Sequence, residues 1–250
     1  MPEVKPQAEK PLPLAAPMLL SFVAGYVDSY TYLALFGLFV AQVTSSFVIA
    51  GAEVVTHDYG VAGKLLVTLV FIVAAALTAA LIIWARSAGR MLLPWMLLLE
   101  AALLAIFSAM ILFGPPIESA RDWHGIVAGL VAASAMGAQS VLVRLLMKGI
   151  PQTNVMTGNM TQLGIAVTDL IVAWRRLRRG LTDAREFETV RGQLLIVLSV
   201  AVGFLVGAAA GAVAFVTTGL RGALLAVAIV AALAVWALMR EQKASREQDA

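Results

Sequence analysis

Residues 65–85 read LLVTLVFIVAAALTAALIIWA, a run of 21 positions without an Asp, Glu, Lys or Arg. A soluble core helix needs no such run, whereas a bilayer crossing takes roughly 20 apolar residues. The stretch therefore reads as a membrane-spanning helix, and it decides the fold class. Outward from it, Gly125 to Val143, Gly192 to Leu220 and Gly222 to Met239 are equally free of charge. Pro17 to Val40 and Met91 to Phe113 are each interrupted by one acidic residue, Asp28 and Glu100. The expectation is an all-α membrane protein with six transmembrane helices. Segments of about ten residues with alternating polarity, the mark of a membrane β-barrel, are missing.

Composition agrees. Of 250 residues 61% are hydrophobic and 13% charged, with a mean hydropathy of +0.90, against about 45–50% apolar and about 25% charged in a soluble domain. A water-soluble fold is excluded. The chain has no cysteine, which removes disulfides, thiolate metal sites and thiol catalysis together. The first apolar stretch lacks a small-residue cleavage site and reads as an uncleaved signal anchor.

Lys and Arg set the orientation. With six spans, one side of the membrane collects Lys5, Lys10, Arg86, Arg90, the basic residues from Arg144 to Arg191, and Arg240, Lys243 and Arg246. This is 15 of the 18. Lys64, Arg121 and Arg221 fall opposite. Both termini are expected in the cytoplasm, with residues 1–16 and 241–250 as tails and a long basic loop over about 148–191. The apolar segment Val155 to Trp174 would carry Arg175 to Arg191 outside if it crossed, so it is expected to be re-entrant or to lie on the surface.

A weak internal repeat runs through the chain. Thr44-Ser45-Ser46 to Gly51 and Thr157-Gly158-Asn159 to Gly164 align without gaps at an offset of 113 residues. Upstream, Gly25 in the first predicted helix matches Gly137 within one residue of that offset, and Gly63-Lys64-Leu65-Leu66 resembles Gly192-Gln193-Leu194-Leu195. Each half, 17–114 and 115–240, reads as a long helix, a break with a short segment, then two helices. Three crossings per half is odd, so the halves would be inverted, with a broken or re-entrant segment in each. Similarity of glycine-rich apolar helices by composition alone is the alternative.

The same residues carry a family resemblance. Gly25 and Asp28 in the first helix, Phe39 after it, the pair Gly137 and Gln139, and Thr157-Gly158-Asn159 stand in the order and spacing of the YoaK/DUF1275 family of uncharacterised bacterial inner-membrane proteins. The chain resembles that family from about Leu19 to Met239. It departs at Thr44-Ser45-Ser46, where Gly-Asn is more usual, and at Ser140, where Asn is usual. The resemblance implies membrane location and six helices, and no established activity.

Several polar residues on these helices are candidates for function. Asp28 lies near the middle of its span, where a charge must pair, hydrate or take up a proton; Ser21, Gly25 and Tyr32 share its helical face. It reads either as part of a solute or ion pathway or as a buried acid that fixes packing. Glu100 carries the same two readings, and proton or cation coupling follows if the two face one cavity. Thr157-Gly158-Asn159 and Thr44-Ser45-Ser46 suit helix starts. If those starts lie inside the bilayer, their amides favour an anion or polar solute; otherwise they are ordinary caps. Gln139 either cross-links helices or lines the same cavity.

Gly203, Gly207 and Gly211, every fourth residue, form a close-packing face. Arg175, Arg176, Arg178 and Arg179 are expected at anionic lipid headgroups. His57 and His124 lack neighbouring ligands for a metal site, and no cofactor is expected. No reading fold accompanies the basic run, so nucleic acid is not an expected partner, and HExxH, GxSxG and GxxxxGK signatures of enzymes are missing. The expected partners are the lipid bilayer and an unidentified small solute, with a homo-oligomer left open. A small-solute transporter or permease is the leading expectation, and a non-transporting structural or regulatory membrane protein the alternative.

Overall fold

The computed structural model describes residues 13–56, 61–86 and 92–248, and all its regular structure is helical: α1 (Ala15–Ala34), α2 (Val43–Thr56), α3 (Val61–Arg86), α4 (Leu93–Phe113), α5 (Trp123–Leu146), α6 (Met156–Arg178), α7 (Ala184–Thr218) and α8 (Leu224–Gln248), with a short 3-10 turn at Gly219–Ala223 between the last two. Lys5, Lys10, His57 and Arg90 lie outside the described residues.

Among the described residues, four helical stretches are long and apolar enough to cross a membrane: Val61–Arg86, Leu93–Phe113, Trp123–Leu146 and Ala184–Lys243. The last takes in α7 and α8. The positive φ of Gly219, 58°, breaks the chain between them. α1 falls outside this set because Ser21, Asp28, Ser29, Thr31 and three tyrosines dilute its apolar residues.

Polarity is distributed inside out. Phe113, Trp84 and Leu205 are 87%, 74% and 71% exposed, while Asp28 and Glu100 are 3% and 0% exposed. Water would drive the reverse arrangement. An apolar exterior around buried acids is what a hydrocarbon solvent selects.

Two parallel helix pairs form the frame. On α7, Gly203, Gly207 and Gly211 lie against the carbonyl oxygens of Met18, Phe22 and Tyr26 on α1. A methyl carbon placed on these glycines would sit 2.4, 2.0 and 2.2 Å from those oxygens. Gly25 of α1 answers with Phe204 O at 2.2 Å. Both residue series ascend together, so the helices run parallel. α3 and α5 make a second parallel pair: Gly63 meets Ile126, and Gly137 meets Phe71 O at 2.7 Å. Close backbone approach of this kind requires residues without a Cβ.

α4 packs against α5 and α8, and α2 and α6 lie along α3 and α7 respectively. α2 runs antiparallel to α3. Thr68 Oγ1 donates to Val43 O at 3.4 Å, and Lys64 pairs with Glu53 at 2.6 Å. At the far end of α1, Tyr26 and Tyr30 donate to the carbonyls of Gly222 and Gly219 at 2.6 and 3.0 Å, holding the turn between α7 and α8.

Two local expectations need correction. Within residues 148–191 the apolar segment forms α6, which continues to Arg178, and α7 begins at Ala184. Asp183 caps α7, accepting from Glu186 N at 2.8 Å, so the helix starts two turns before Gly192. Tyr32 leaves the polar face of α1: it is exposed and packs on Phe39, ring centroids 5.0 Å apart, since α1 ends two residues later.

Candidate functional site

The site is built where the two breaks in the helical pattern come together. α1 stops in a left-handed turn, with Phe36 and Gly37 at φ 54° and 87° and Gly37 N donating to Tyr32 O at 2.7 Å. Such a turn reverses the chain. It brings residues 40–42 back alongside Asp28, whose Oδ1 accepts from Val40 N at 2.8 Å and Ala41 N at 2.7 Å and whose Oδ2 accepts from Gln42 N at 2.9 Å. Three successive amides make an anion receptor at the start of α2, and a residue of the neighbouring helix fills it.

The second break is held differently. Pro151 precedes Gln152-Thr153-Asn154, and α6 starts at Met156. Thr153 O accepts from Ser21 Oγ at 3.0 Å, and Ser21 also reaches Val200 O on α7 at 2.7 Å. Ser140 Oγ and the Gln152 side chain are 3.3 Å apart. Turning the Gln152 amide lets its nitrogen donate to Ser140 and its oxygen accept from Arg144 Nε at 3.0 Å. From the first turns of α6, Asn159 Nδ2 donates back to Gln152 O at 2.6 Å.

These two segments touch. Asn154 Nδ2 donates to Ala41 O at 3.5 Å, across 113 positions of sequence. Gln139 Nε2 donates to Leu20 O at 2.8 Å, beside Ser21. Four pieces of chain therefore converge: α1 at Leu20 to Asp28, α5 at Gln139 and Ser140, and the two segments 40–42 and 152–154.

Not every polar atom here is matched. Gln139 Oε1, Thr153 Oγ1 and Asn154 Oδ1 are buried without a hydrogen-bond partner, as is Ser46 Oγ on α2. Most buried polar atoms in proteins find one. Elsewhere, both carboxyl oxygens of Glu100 on α4 are buried without a partner. Asp28 spends its oxygens on the amides of 40–42, so the two acids share no hydrogen bond.

The expected helix starts are placed otherwise than as caps. α6 begins before Thr157, leaving Thr157 and Gly158 exposed in its first turn while Asn159 turns inward. No side chain caps that helix at Val155. Thr44 is exposed, Ser45 half-buried and Ser46 buried within α2. Helix register explains this: each triplet lies past its helix start, so its side chains point off the axis instead of toward the free amides. The anion expected at the α2 amides is the protein's own Asp28.

Arg175, Arg176, Arg178 and Arg179 cluster, exposed, at the end of α6, with the Arg178 guanidinium 4.3 Å from the centre of the Trp174 ring. His124 Nε2 lies 2.9 Å from Met110 O. Among the described residues no three His, Cys, Asp or Glu stand close enough for a metal ion. The sequence reading missed Thr153 and Asn154. A polar triplet directly after Pro151, with Asn154 at the repeat offset from Ala41, was the available signal.

Fold and site together define an all-helical protein with the apolar helices of a membrane protein and a buried polar junction between two chain breaks. The chain belongs to the family described as "Protein of unknown function (DUF1275)", which it matches over residues 16–237. Neither the curated proteins nor the solved structures gave a match.

Proposed function

We propose that this is a multi-pass permease for a small solute, built from two inverted repeats, with the junction of the two breaks as its solute site. In this reading α1, α3, α4, α5, α7 and α8 cross the membrane and α2 and α6 are half-helices that start near its middle. The repeats are residues 17–114 and 115–240, and both termini face the cytoplasm of a bacterial inner membrane. The pairing pattern supports the repeat. α1 lies parallel to α7 and α5 lies parallel to α3; α2 packs on α3 and α6 packs on α7. Exchanging the halves turns each member of a pairing into the other. Half-helices meeting at a repeat interface are the usual place for a transporter's substrate.

The observation that carries the reading is the Asn154 to Ala41 contact, which joins the two breaks beside three unmatched oxygens. The basic cluster at the end of α6 suits anionic headgroups on the cytoplasmic leaflet. No catalytic step belongs to this reading.

The test is thermal stabilisation of the purified protein across a panel of organic cations, organic anions, amino acids and polyols, followed by counterflow in proteoliposomes. A stabilising solute whose effect disappears in Asn154→Ala and which exchanges across the bilayer is the expected result. No stabilisation and no exchange would leave the second reading, a non-transporting structural or regulatory protein. That reading has one observation in its favour: Asp28 is fully engaged by the chain itself.

A further inference from the structure

The unmatched atoms of the junction are all oxygens. Gln139 spends its amide nitrogen on Leu20 O and Asn154 spends its own on Ala41 O. Those carbonyls fix both amide orientations, because an amide oxygen turned toward a carbonyl would be repelled. Gln139 Oε1 and Asn154 Oδ1 are thus acceptors with nothing to accept from, and Thr153 Oγ1 is a hydroxyl in the same state. All three residues are at least nine-tenths buried.

Two independent ties keep these oxygens in one neighbourhood. Gln139 is bonded to Leu20, the neighbour of Ser21, and Ser21 holds Thr153. Gln139 also precedes Ser140, which meets Gln152, the residue before Thr153.

Their surroundings select the sign and charge of an occupant. An anion is disfavoured by the two amide oxygens, which can only accept. The Asp28 carboxylate binds the N–H of Ala41, the residue whose carbonyl takes Asn154, so a negative charge lies one residue from the site. Val155 just before α6 and Thr157 and Gly158 in its first turn are exposed, and Arg144 approaches Gln152 from an exposed position. A divalent ion would call for carboxylate ligands, and both Asp28 oxygens are committed. Neutral side-chain oxygens near unwound backbone are a setting for a monovalent ion.

We propose that the junction binds one dehydrated alkali cation through Gln139 Oε1, Thr153 Oγ1 and Asn154 Oδ1. The inference rests on the permease reading only in taking the junction as the site. Thr153→Val is the informative variant. It removes the unmatched hydroxyl and leaves the Thr153 carbonyl for Ser21. The full-length protein in detergent is melted in sodium, potassium and N-methylglucamine chlorides at equal ionic strength, alongside direct binding of radioactive sodium and rubidium.

The expected result is saturable stabilisation by sodium or potassium but not N-methylglucamine, with one ion retained per chain. Thr153→Val weakens the apparent affinity at least about tenfold, and Ser108→Ala, a buried hydroxyl on α4, leaves it unchanged. Equal melting in all three salts with no retained ion would overturn the proposal and assign the site to water or a neutral solute. If Thr153→Val fails to fold, ion retention by the unmutated protein still decides. Ion binding without solute exchange would remove the permease reading and leave this inference standing; exchange indifferent to the cation would do the opposite.

Discussion

The two breaks solve one problem by different chemistry. Each leaves backbone that must be satisfied away from water. At residues 40–42 a single carboxylate takes three amides, so donors and acceptors balance. At residues 152–154 two side chains share the work, Ser21 donating to Thr153 O and Asn159 to Gln152 O, and unmatched side-chain oxygens remain. The comparison teaches that two breaks in one fold need not be held alike: the first is locked by charge, and the second keeps buried oxygens without partners.

The largest test of the contrast is Asp28→Ala. It strands the buried amides of Val40 and Ala41 and the half-buried one of Gln42, which at about 1 kcal/mol or more for each buried amide costs at least about 2 kcal/mol. Thermal unfolding in detergent should show the largest loss of any single change at either break. Asp28→Asn, which keeps one acceptor oxygen, should fall between it and the unmutated protein. Equal stability of all three would mean that the carboxylate is not what holds the first break.

A smaller effect, shared by both breaks, is expected from Gly207→Ala. The new Cβ would lie 2.0 Å from Phe22 O, and a backbone atom cannot swing aside. Separating the helices should cost about 1–3 kcal/mol. It should also weaken the second break more than the first, because Ser21 reaches α7 while the Asp28 carboxylate is bound to its own following loop. Hydrogen exchange of amides 40–42 against 152–154 would read this.

How much of this was legible beforehand follows from the kind of signal each feature leaves. α3, α5, α7 and α8 announce themselves by uncharged length, α4 by an apolar run broken only at Glu100, and the glycines at 203, 207 and 211 by their spacing. Asp28 stood out because an acid in an apolar run is rare. Its partners did not, since backbone amides have no letter in the sequence and only the turn at Phe36 and Gly37 brings them round. The triplets at Thr44 and Thr157 carry the composition of helix caps, but composition does not fix register, and the helices start earlier. Thr153 and Asn154 read as ordinary loop residues until the fold buries them.

Within the second break, Asn159→Ala removes one hydrogen bond of 2.6 Å to Gln152 O. A loss of about 1 kcal/mol is expected, well below that of Asp28→Ala, with the melting curve as the measure. A loss as large as that of Asp28→Ala would erase the contrast between the breaks.

The smallest effect concerns another carboxylate that accepts from backbone amides, in the turn before α5. Asp122, at the start of α5, accepts from the amides of Glu118 and Ser119 at 2.5 and 2.9 Å, which hold its carboxyl below the usual carboxylate range. A group lowered on folding contributes stability that is present above its unfolded pKa, about 3.9, and is lost as the pH falls through its folded value. Asp122→Asn should therefore lower stability slightly at neutral pH and flatten the acid limb of the profile, so that the two proteins converge as the pH falls. Equal melting of the two at pH 7 would show that these bonds add nothing to stability.

The seam between α1 and α7 also has a consequence in time. α1 is synthesised early, yet the carbonyl that Ser21 grips on α7 arrives 179 residues later, on the order of 10–40 s at ordinary rates of translation. In the permease reading the nascent helix rests in lipid throughout that interval with an acid in its sequence. The partners of Asp28 lie only 12 to 14 residues ahead, so they leave the ribosome almost at once. The clamp that later locks the first break can thus shield the carboxylate during biogenesis, before the rest of the protein has been made.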